Sequence, residues 1–403
     1  MLKVQEYLLT HSFTELFNEH GVNVRPSADY TKYSLNYDQL AAKSDDPVAN
    51  QCRGLVIRPA NLITDLSTIV GDTSIVARPM DRFFNAGDVH ASPIDWSTAK
   101  ILEKIDGTMT ILYYDFVKNE WCVGTRSVCE ADVVFGDCIS PLKENTFREL
   151  FFYAAEKTLT EVASVYDPHV TAPETVNEWL SCLDKHWTYV FELTSPLNRV
   201  VVKYNDYRIT ALAVRNTETG EYLVSLCPEM INCMPVVTEW PLKTLADIEA
   251  FLLDSDPAKV EGAVVIDANN NRLKVKSKQW VLASRAKDSV SVSKRNALQC
   301  IIDGTLDDVL PLLDDGLQEY LRNMQEKTAV YCKRIDNEFI RLSVSTLDRK
   351  AFALGVQASG LWQSPFFNLY GGKWDTTIDW LRHLSADKKL TDSTLDTILQ
   401  DVA

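Results

Sequence analysis

Residues 102–114 read LEKIDGTMTILYY. A lysine and an aspartate two positions apart precede a glycine, and a run of apolar, β-branched and aromatic residues follows. That run predicts a strand, because Thr, Ile and Tyr suit a pleated and largely buried surface. In extended chain Lys104 and Asp106 project to one face, and Gly107 permits a close backbone approach. A lysine framed in this way is not a casual surface charge.

Comparable runs lie on either side: CRGLVIRP (52–59), SIVARP (74–79), YVFEL (189–193), RVVVKY (199–204), ITALAVRN (209–216), GAVVID (262–267) and RLKVKSK (272–278). Each is bounded by Gly, Asn, Asp or Pro, as strands are. AVRNTETGEYLV (213–224) predicts a hairpin with Thr-Gly in its loop. Residues 143–166 carry apolar side chains at three- and four-residue steps and predict a helix; residues 1–21 read as one amphipathic helix. Beyond about residue 286 the pattern turns helical, in 305–342, 347–356 and 377–384. The expected fold is α+β, with a strand-rich part over 1–285 and an all-helical part over 286–403.

The 403 residues are 46% hydrophobic and 24% charged, which fits an ordinary globular chain of two or three domains. No stretch reaches the roughly 18 apolar residues of a membrane span, and the start lacks the layout of a signal peptide. Nine scattered cysteines without C-x-x-C spacing favour reduced thiols in a cytoplasm. The six histidines (His11, His20, His90, His169, His186, His383) do not cluster. A net charge of −15 excludes a nonspecific nucleic-acid coat protein. The charge is nevertheless segregated. Residues 269–299 hold eight bases (Arg272, Lys274, Lys276, Lys278, Arg285, Lys287, Lys294, Arg295) against Asp288, and 301–320 hold six acids and no base.

Five short pieces carry chemistry: QCRGLVI with Arg53, EKIDGT with Lys104 and Asp106, VFELTSPLNR with Glu192, VEGAVV with Glu261, and RLKVKSK with Lys274 and Lys276. Each alone is weak, since a Lys-x-Lys string is ordinarily a solvated strand face. Their joint content needs explaining. A lysine amine attacks only when neutral, which its ordinary pKa of about 10.4 makes rare at neutral pH. Burial, a nearby cation or a metal would favour the neutral form. Lys274 and Lys276 share a face opposite Leu273 and Val275, and paired cations suit a phosphate in transfer. Glu192 and Glu261 sit at the edges of apolar strands, suited to Mg²⁺ or a ribose hydroxyl. Together these residues describe nucleotidyl transfer through a lysine phosphoramidate.

At these positions the chain resembles the covalent nucleotidyltransferases, and among them the T-even phage RNA ligase 1 family. Lys104-Ile105-Asp106-Gly107 matches the nucleotide-accepting motif, and FELTSPLNRVVVKY (191–204) resembles the third motif with its extension. CRGLVI, ARPMDRFFN (77–85), VEGAVV and LKVKS follow in the family's order, over roughly residues 35–285. One departure stands out: Arg82 occupies a position where the family carries lysine, which keeps the charge in another geometry. The resemblance implies antiparallel sheets with flanking helices in a nucleotidyltransferase domain. It further implies that Lys104 attacks the α-phosphate of ATP and carries AMP, and that Lys274 and Lys276 hold that phosphate. Arg53 and Arg82 would steady the outer phosphates, Glu192 and Glu261 would position Mg²⁺ or the ribose, and Asp106 would act after AMP is loaded. Arg126, in GTRSV, is a further candidate for a phosphate or RNA contact; Tyr113 and Tyr114 favour core packing over base stacking.

The implied activity joins 5′-phosphate and 3′-hydroxyl RNA ends through lysyl-AMP and an adenylylated RNA. The implied substrate is a broken transfer RNA, chosen with the help of the helical tail. A phage-encoded monomer in the host cytoplasm, without membrane attachment, is expected. A DNA ligase or a GTP-using capping enzyme shares the shorter motifs. A non-catalytic RNA-binding protein would use the same cleft, but would usually have lost Lys104 or one of the paired lysines.

Overall fold

The computed structural model describes the chain apart from residues 39–40, 133, 135–141, 166–172, 224–225, 232, 257, 278–279, 282–293, 304–305, 307–314, 346–347, 375, 387–390, 392, 394–395 and 399–403. It divides into two compact units, Met1–Lys278 and Gln279–Ala403. The boundary read near residue 285 lies outside the described residues, as do Lys278, Arg285 and Lys287 of the basic stripe.

The first unit holds three sheets. The first has the order β1-β2-β3-β4: β1 (Val22–Pro26), β2 (Tyr33–Tyr37), β3 (Arg53–Pro59) and β4 (Thr73–Ala77), all antiparallel. Helices α1 (Lys3–Leu8), α2 (Phe13–His20) and α3 (Pro47–Gln51) share a core with it through Leu8, Phe13, Leu16, Tyr33 and Leu35. The single amphipathic helix expected over 1–21 is thus two. Ser12 Oγ accepts from the Glu15 amide at 3.2 Å while Glu15 Oε2 accepts from the Ser12 amide at 2.7 Å, a reciprocal cap that starts α2 afresh.

The second sheet has the order β10-β9-β7-β8: β7 (Thr108–Asp115), β8 (Glu120–Thr125), β9 (Trp187–Thr194) and β10 (Arg208–Asn216), again antiparallel. One face packs on α4 (Phe147–Val165) and α5 (Val176–Cys182) through Leu112, Phe151, Trp179 and Phe191. Ile111, Tyr113 and Val190 pack on the other face with Val56 and Ala77 of the first sheet. Burial on both faces is why 109–114 reads as a continuous apolar run without alternation. The expected hairpin forms, with Arg215 bridged to Tyr222 and Gly220 at φ +80°.

The third sheet has the order β11-β6-β12-β13-β5, from β5 (Phe84–Asn85), β6 (Lys100–Lys104), β11 (Glu239–Trp240), β12 (Gly262–Ile266) and β13 (Arg272–Lys276). Only the β13–β5 pairing is parallel. One face buries Ile101, Ala263, Val265, Leu273 and Val275 against Ile248 and Leu252 of α6 (Leu245–Asp254). The opposite face is left for the site.

RVVVKY is not a strand, contrary to its composition. The Val201 and Val202 amides donate to the Asp106 carboxylate at 2.8 and 2.6 Å, so a side chain takes the donors that a ladder would use.

The described residues of the second unit form α7 (Lys294–Asp303), α8 (Asp315–Ser345), α9 (Arg349–Ser359), α10 (Gln363–Tyr370) and α11 (Thr377–Ala386), with no strand among them. Leu321, Met324, Thr328, Tyr331, Ile335 and Leu342 line the buried stripe of α8 at helical spacing. Asp348 caps α9 and Gly360, at φ +70°, ends it. The part of the 305–342 helix at 307–314 lies outside the described residues. Among the described residues no helix is long and apolar enough to cross a membrane, and Cys52, Cys122, Cys129, Cys182, Cys227, Cys233 and Cys332 are free thiols.

Candidate active site

Pairing within the third sheet brings the lysines together. Gly262 of β12 lies opposite Lys104 of β6 on one side and Lys276 of β13 on the other. Residues directly opposite in a sheet point to the same face, so two lysines flank a glycine. A Cβ on Gly262 would meet the Val275 carbonyl oxygen at 2.2 Å, so no side chain fits there. Glu261, 3% exposed, lies between them: its Oε2 accepts from Lys104 Nζ at 2.5 Å and its Oε1 from Lys276 Nζ at 2.9 Å. One carboxylate thereby holds both ammonium groups in place.

The same face borders a cavity of about 230 Å³. Leu102 and Val264 line its floor beside Lys104, Lys274 and Lys276, while Arg53, Arg126, Glu192 and Tyr37 come from the first two sheets and the turn after β8. Arg53 owes its position to a bulge. Leu35 pairs with Leu55 but Asn36 pairs with Arg53, which leaves Gly54 unpaired at φ +83°. A Cβ on Gly54 would lie 2.7 Å from Ile111 Cδ1, so glycine is required on space as well as conformation.

The charges are strongly perturbed. Burial pushes the Lys274 ammonium down to about 8, helped by Arg53, Lys276, Lys104 and Arg126. Burial pushes the Glu192 carboxyl up to about 7, against the pull of Lys104. Arg53 is lowered by its burial. Arg53 Nη1 and Arg126 Nε are buried without a hydrogen-bond partner. Such orphaned donors are rare in folded proteins unless a ligand supplies the acceptor. Arg126 therefore stands on the cavity wall with an open donor.

Two expected site residues stand elsewhere, and a third is engaged differently from expectation. Asp106 does not share a face with Lys104, because β6 ends at Lys104 and the chain turns. Its carboxyl is buried and raised by that burial, though the Val201 and Val202 amides pull it the other way. Gly107 does make the close approach: a Cβ there would meet the Leu193 carbonyl oxygen at 2.5 Å. Arg82 does not line the cavity. It stacks on Tyr37 at 4.3 Å and Phe84 at 5.0 Å, and donates to the Lys43 carbonyl at 3.3 Å. Glu261 is engaged by two lysines, so of the two acids expected at a metal it is Glu192 that faces the cavity. Tyr113 and Tyr114 are buried, their hydroxyls donating to Cys129 O at 2.6 Å and Asn119 Oδ1 at 2.5 Å, away from the site.

Sequence reasoning missed Tyr37 as a wall residue and left Arg272 in the general basic stripe. Arg272 was accessible to the same alternation that joined Lys274 to Lys276. Tyr37 had no signal beyond its place at a strand end.

The sequence model of the RNA ligase family matches residues 51–288. A protein of Autographa californica nuclear polyhedrosis virus described as a bifunctional polynucleotide kinase/RNA ligase is 28% identical over 326 residues, 77% of this chain and 42% of that one. An RNA ligase of Rhodothermus phage RM378 is 26% identical over 261 residues, 56% of this chain and 52% of that one. The chain thus spans about half the length, or less, of these curated relatives. Among solved structures, form 1 of an archaeal ATP-dependent RNA ligase aligns at a TM-score of 0.41 and 12% identity, over 86% of this chain and 85% of that one. The family match takes in every strand that contributes a charged group to the cavity, and the chain belongs to the T4 RNA ligase 1 family of RNA ligases.

Proposed function

We propose that the protein is an ATP-dependent RNA ligase that joins 5′-phosphate and 3′-hydroxyl RNA ends through a lysyl-AMP. The observation that carries this reading is the charge in the cavity: six cations against Glu103 and Glu192 on its walls. An anion with many oxygens is what such a wall accepts. Lys104 Nζ attacks the α-phosphorus of ATP, and Glu261 Oε2, 2.5 Å away, is placed to take its proton. Lys276 and Lys274 bear on the same phosphate, and Arg53 and Arg126 on the outer ones. AMP then passes to an RNA 5′-phosphate, and a 3′-hydroxyl displaces AMP to seal the strand.

No three metal-ligating side chains converge among the described residues. Mg²⁺ bound with a nucleotide needs only one or two carboxylates beside phosphate oxygens, so the donor set fits. Glu192 would hold the ion with the nucleotide, and its charge would offset that gathering on the phosphates. The same reading gives Asp106 a role after AMP is loaded and Arg82 a contact at the edge of the triphosphate. It gives the helical unit the choice of RNA, a cleaved transfer-RNA loop in the cytoplasm of an infected host.

The test is to incubate the protein with Mg²⁺ and α-labelled ATP or GTP, with Lys104→Ala alongside, on a denaturing gel. Label from ATP alone, absent in the variant, is expected. Label from GTP would move the protein to capping chemistry. Label in Lys104→Ala would remove Lys104 as the nucleophile.

A further inference from the structure

We propose that Arg272 and the open cleft beside it form a pyrophosphate-binding extension of the nucleotide site, which grips the leaving group during AMP loading. The proposal rests on the adenylyl-transfer reading above. Arg272, Lys274 and Lys276 occupy alternate positions of β13, and so project to one face at steps of about 7 Å. Arg272 and Phe83 line both the cavity and an adjoining cleft of about 900 Å³, which Arg82 and Tyr222 also border, with Asp81 (paired to Arg215) and Glu221 on its walls.

Arg272 is 8% exposed, yet its Nε is buried without a partner and its Nη1 reaches only the Asn270 carbonyl, at 3.3 Å. Its guanidinium lies 4.0 Å from the Tyr222 ring. Arg215 stacks on that ring too, at 4.7 Å, but Asp81 answers its charge with bonds of 2.9 and 3.2 Å. Among the described residues no carboxylate pairs with Arg272. Tyr222 therefore orients and hydrogen-bonds a buried guanidinium that Asp81 answers only at longer range, which leaves its Nε open to an anion.

Sheet order gives the direction. Lys104 is on β6, next to β11 and the apolar Val237, whereas Lys274 and Arg272 lie across β12 on β13. Phosphoryl transfer runs in line. When the Nζ–P bond forms, the bond from the α-phosphorus to its bridging oxygen breaks on the side away from Lys104, and the electron pair departs with pyrophosphate. The nitrogen gives up its proton towards Glu261. Crossing Gly262, where no side chain stands, the leaving group moves towards β13 and Arg272.

The experiment compares wild type, Arg272→Gln and Arg272→Lys in AMP loading and in its reversal by inorganic pyrophosphate acting on the preloaded enzyme. Arg272→Gln is expected to raise KM for both ATP and pyrophosphate at least tenfold, with a smaller change in kcat, and Arg272→Lys to recover part of both. A KM for pyrophosphate within twofold of wild type in Arg272→Gln would overturn the proposal, whatever happens to ATP. Should Arg272→Gln fail to fold, modification of Arg272 by phenylglyoxal in the wild type decides. Pyrophosphate should protect the residue and AMP should not; equal protection, or none, overturns the proposal. A wild type that takes no label from ATP would instead sink the underlying reading.

Discussion

Two regions of the first unit bury lysine and arginine, and they do so in opposite ways. Below the β7–β8 turn, Lys32 is fully buried with Asp115 at 2.8 Å and Glu130 at 2.7 Å. Arg58 reaches Asp115 at 2.8 Å, and Lys118 reaches Glu130 at 2.6 Å and Asp29 at 3.2 Å. Three cations meet three carboxylates. Burial would push Asp115 up, but the bonds from Lys32 and Arg58 bring it down to about 2. In the cavity proposed for the nucleotide the balance fails: Arg53, Arg126 and Arg272 each keep a buried nitrogen without a partner, and Lys274 is pushed down to about 8. A neutralised cluster ties two sheets together, while an unbalanced one leaves buried donors open to an anion from outside the chain.

Matched substitutions in the two clusters give the largest effects. Lys32→Met removes a fully buried cation and leaves Asp115 to Arg58 and Glu130 to Lys118, and it is expected to cost about 3 kcal/mol in urea unfolding, the low end for a broken buried pair. What remains folded should still take label from ATP. Lys276→Met is expected to leave stability within about 1 kcal/mol, because Lys104 still answers Glu261, and to slow AMP loading by about 10²–10³-fold, as loss of a transition-state contact does. If Lys276→Met unfolded the protein as severely as Lys32→Met, the distinction between the clusters would be lost.

A smaller effect follows from Lys274. At pH 8 the free protein holds this lysine about half neutral, and a bound triphosphate requires it charged. The Kd for α,β-methylene ATP, which cannot lose pyrophosphate, should be flat below about pH 7.5 and rise towards tenfold per unit above 8. Lys274→Arg should remove that rise. Titration calorimetry from pH 7 to 10 measures it, and a flat wild-type curve would mean that Lys274 does not meet the phosphates.

Of this contrast the sequence showed the lysines of the cavity and not the neutralised cluster around Lys32. Lys274 and Lys276 declared their common face by alternating with Leu273 and Val275, and both-face burial of β7 and β9 left continuous apolar runs. What escaped reading depended on contacts distant in the chain. Asp106 is 95 and 96 residues from the amides it accepts, and no local pattern announces that RVVVKY yields its donors to a carboxylate. Gly54 follows Arg53 in plain view, but its bulge is defined only by the pairing with β2. The restart of the N-terminal helix was readable, since Ser12 and Glu15 have capping-box spacing. Residue type and period carry the elements; which buried charges remain unmatched emerges only when three sheets are brought together.

The smallest predicted effect sharpens the comparison from the acid side. Asp115, matched by cations, is held low and favours the fold when ionised; Glu192, buried at the unmatched cluster, is pushed up to about 7. A carboxyl raised above its unfolded value near 4.5 favours folding when protonated. Its contribution is complete below about pH 4.5 and is lost as pH climbs through 7, with a ceiling on the order of 3 kcal/mol for a shift of this size. Asp115 and other low carboxylates bring their gain below about pH 5, so in the nucleotide-free protein the decline due to Glu192 lies above it. Glu192→Gln, uncharged throughout, should therefore lose the wild type's decline in Tm between about pH 5 and 7 while keeping its rise below 5. A decline of the same size in both proteins would show that Glu192 ionises as an ordinary glutamate, so that its own charge already answers part of the cavity's cations.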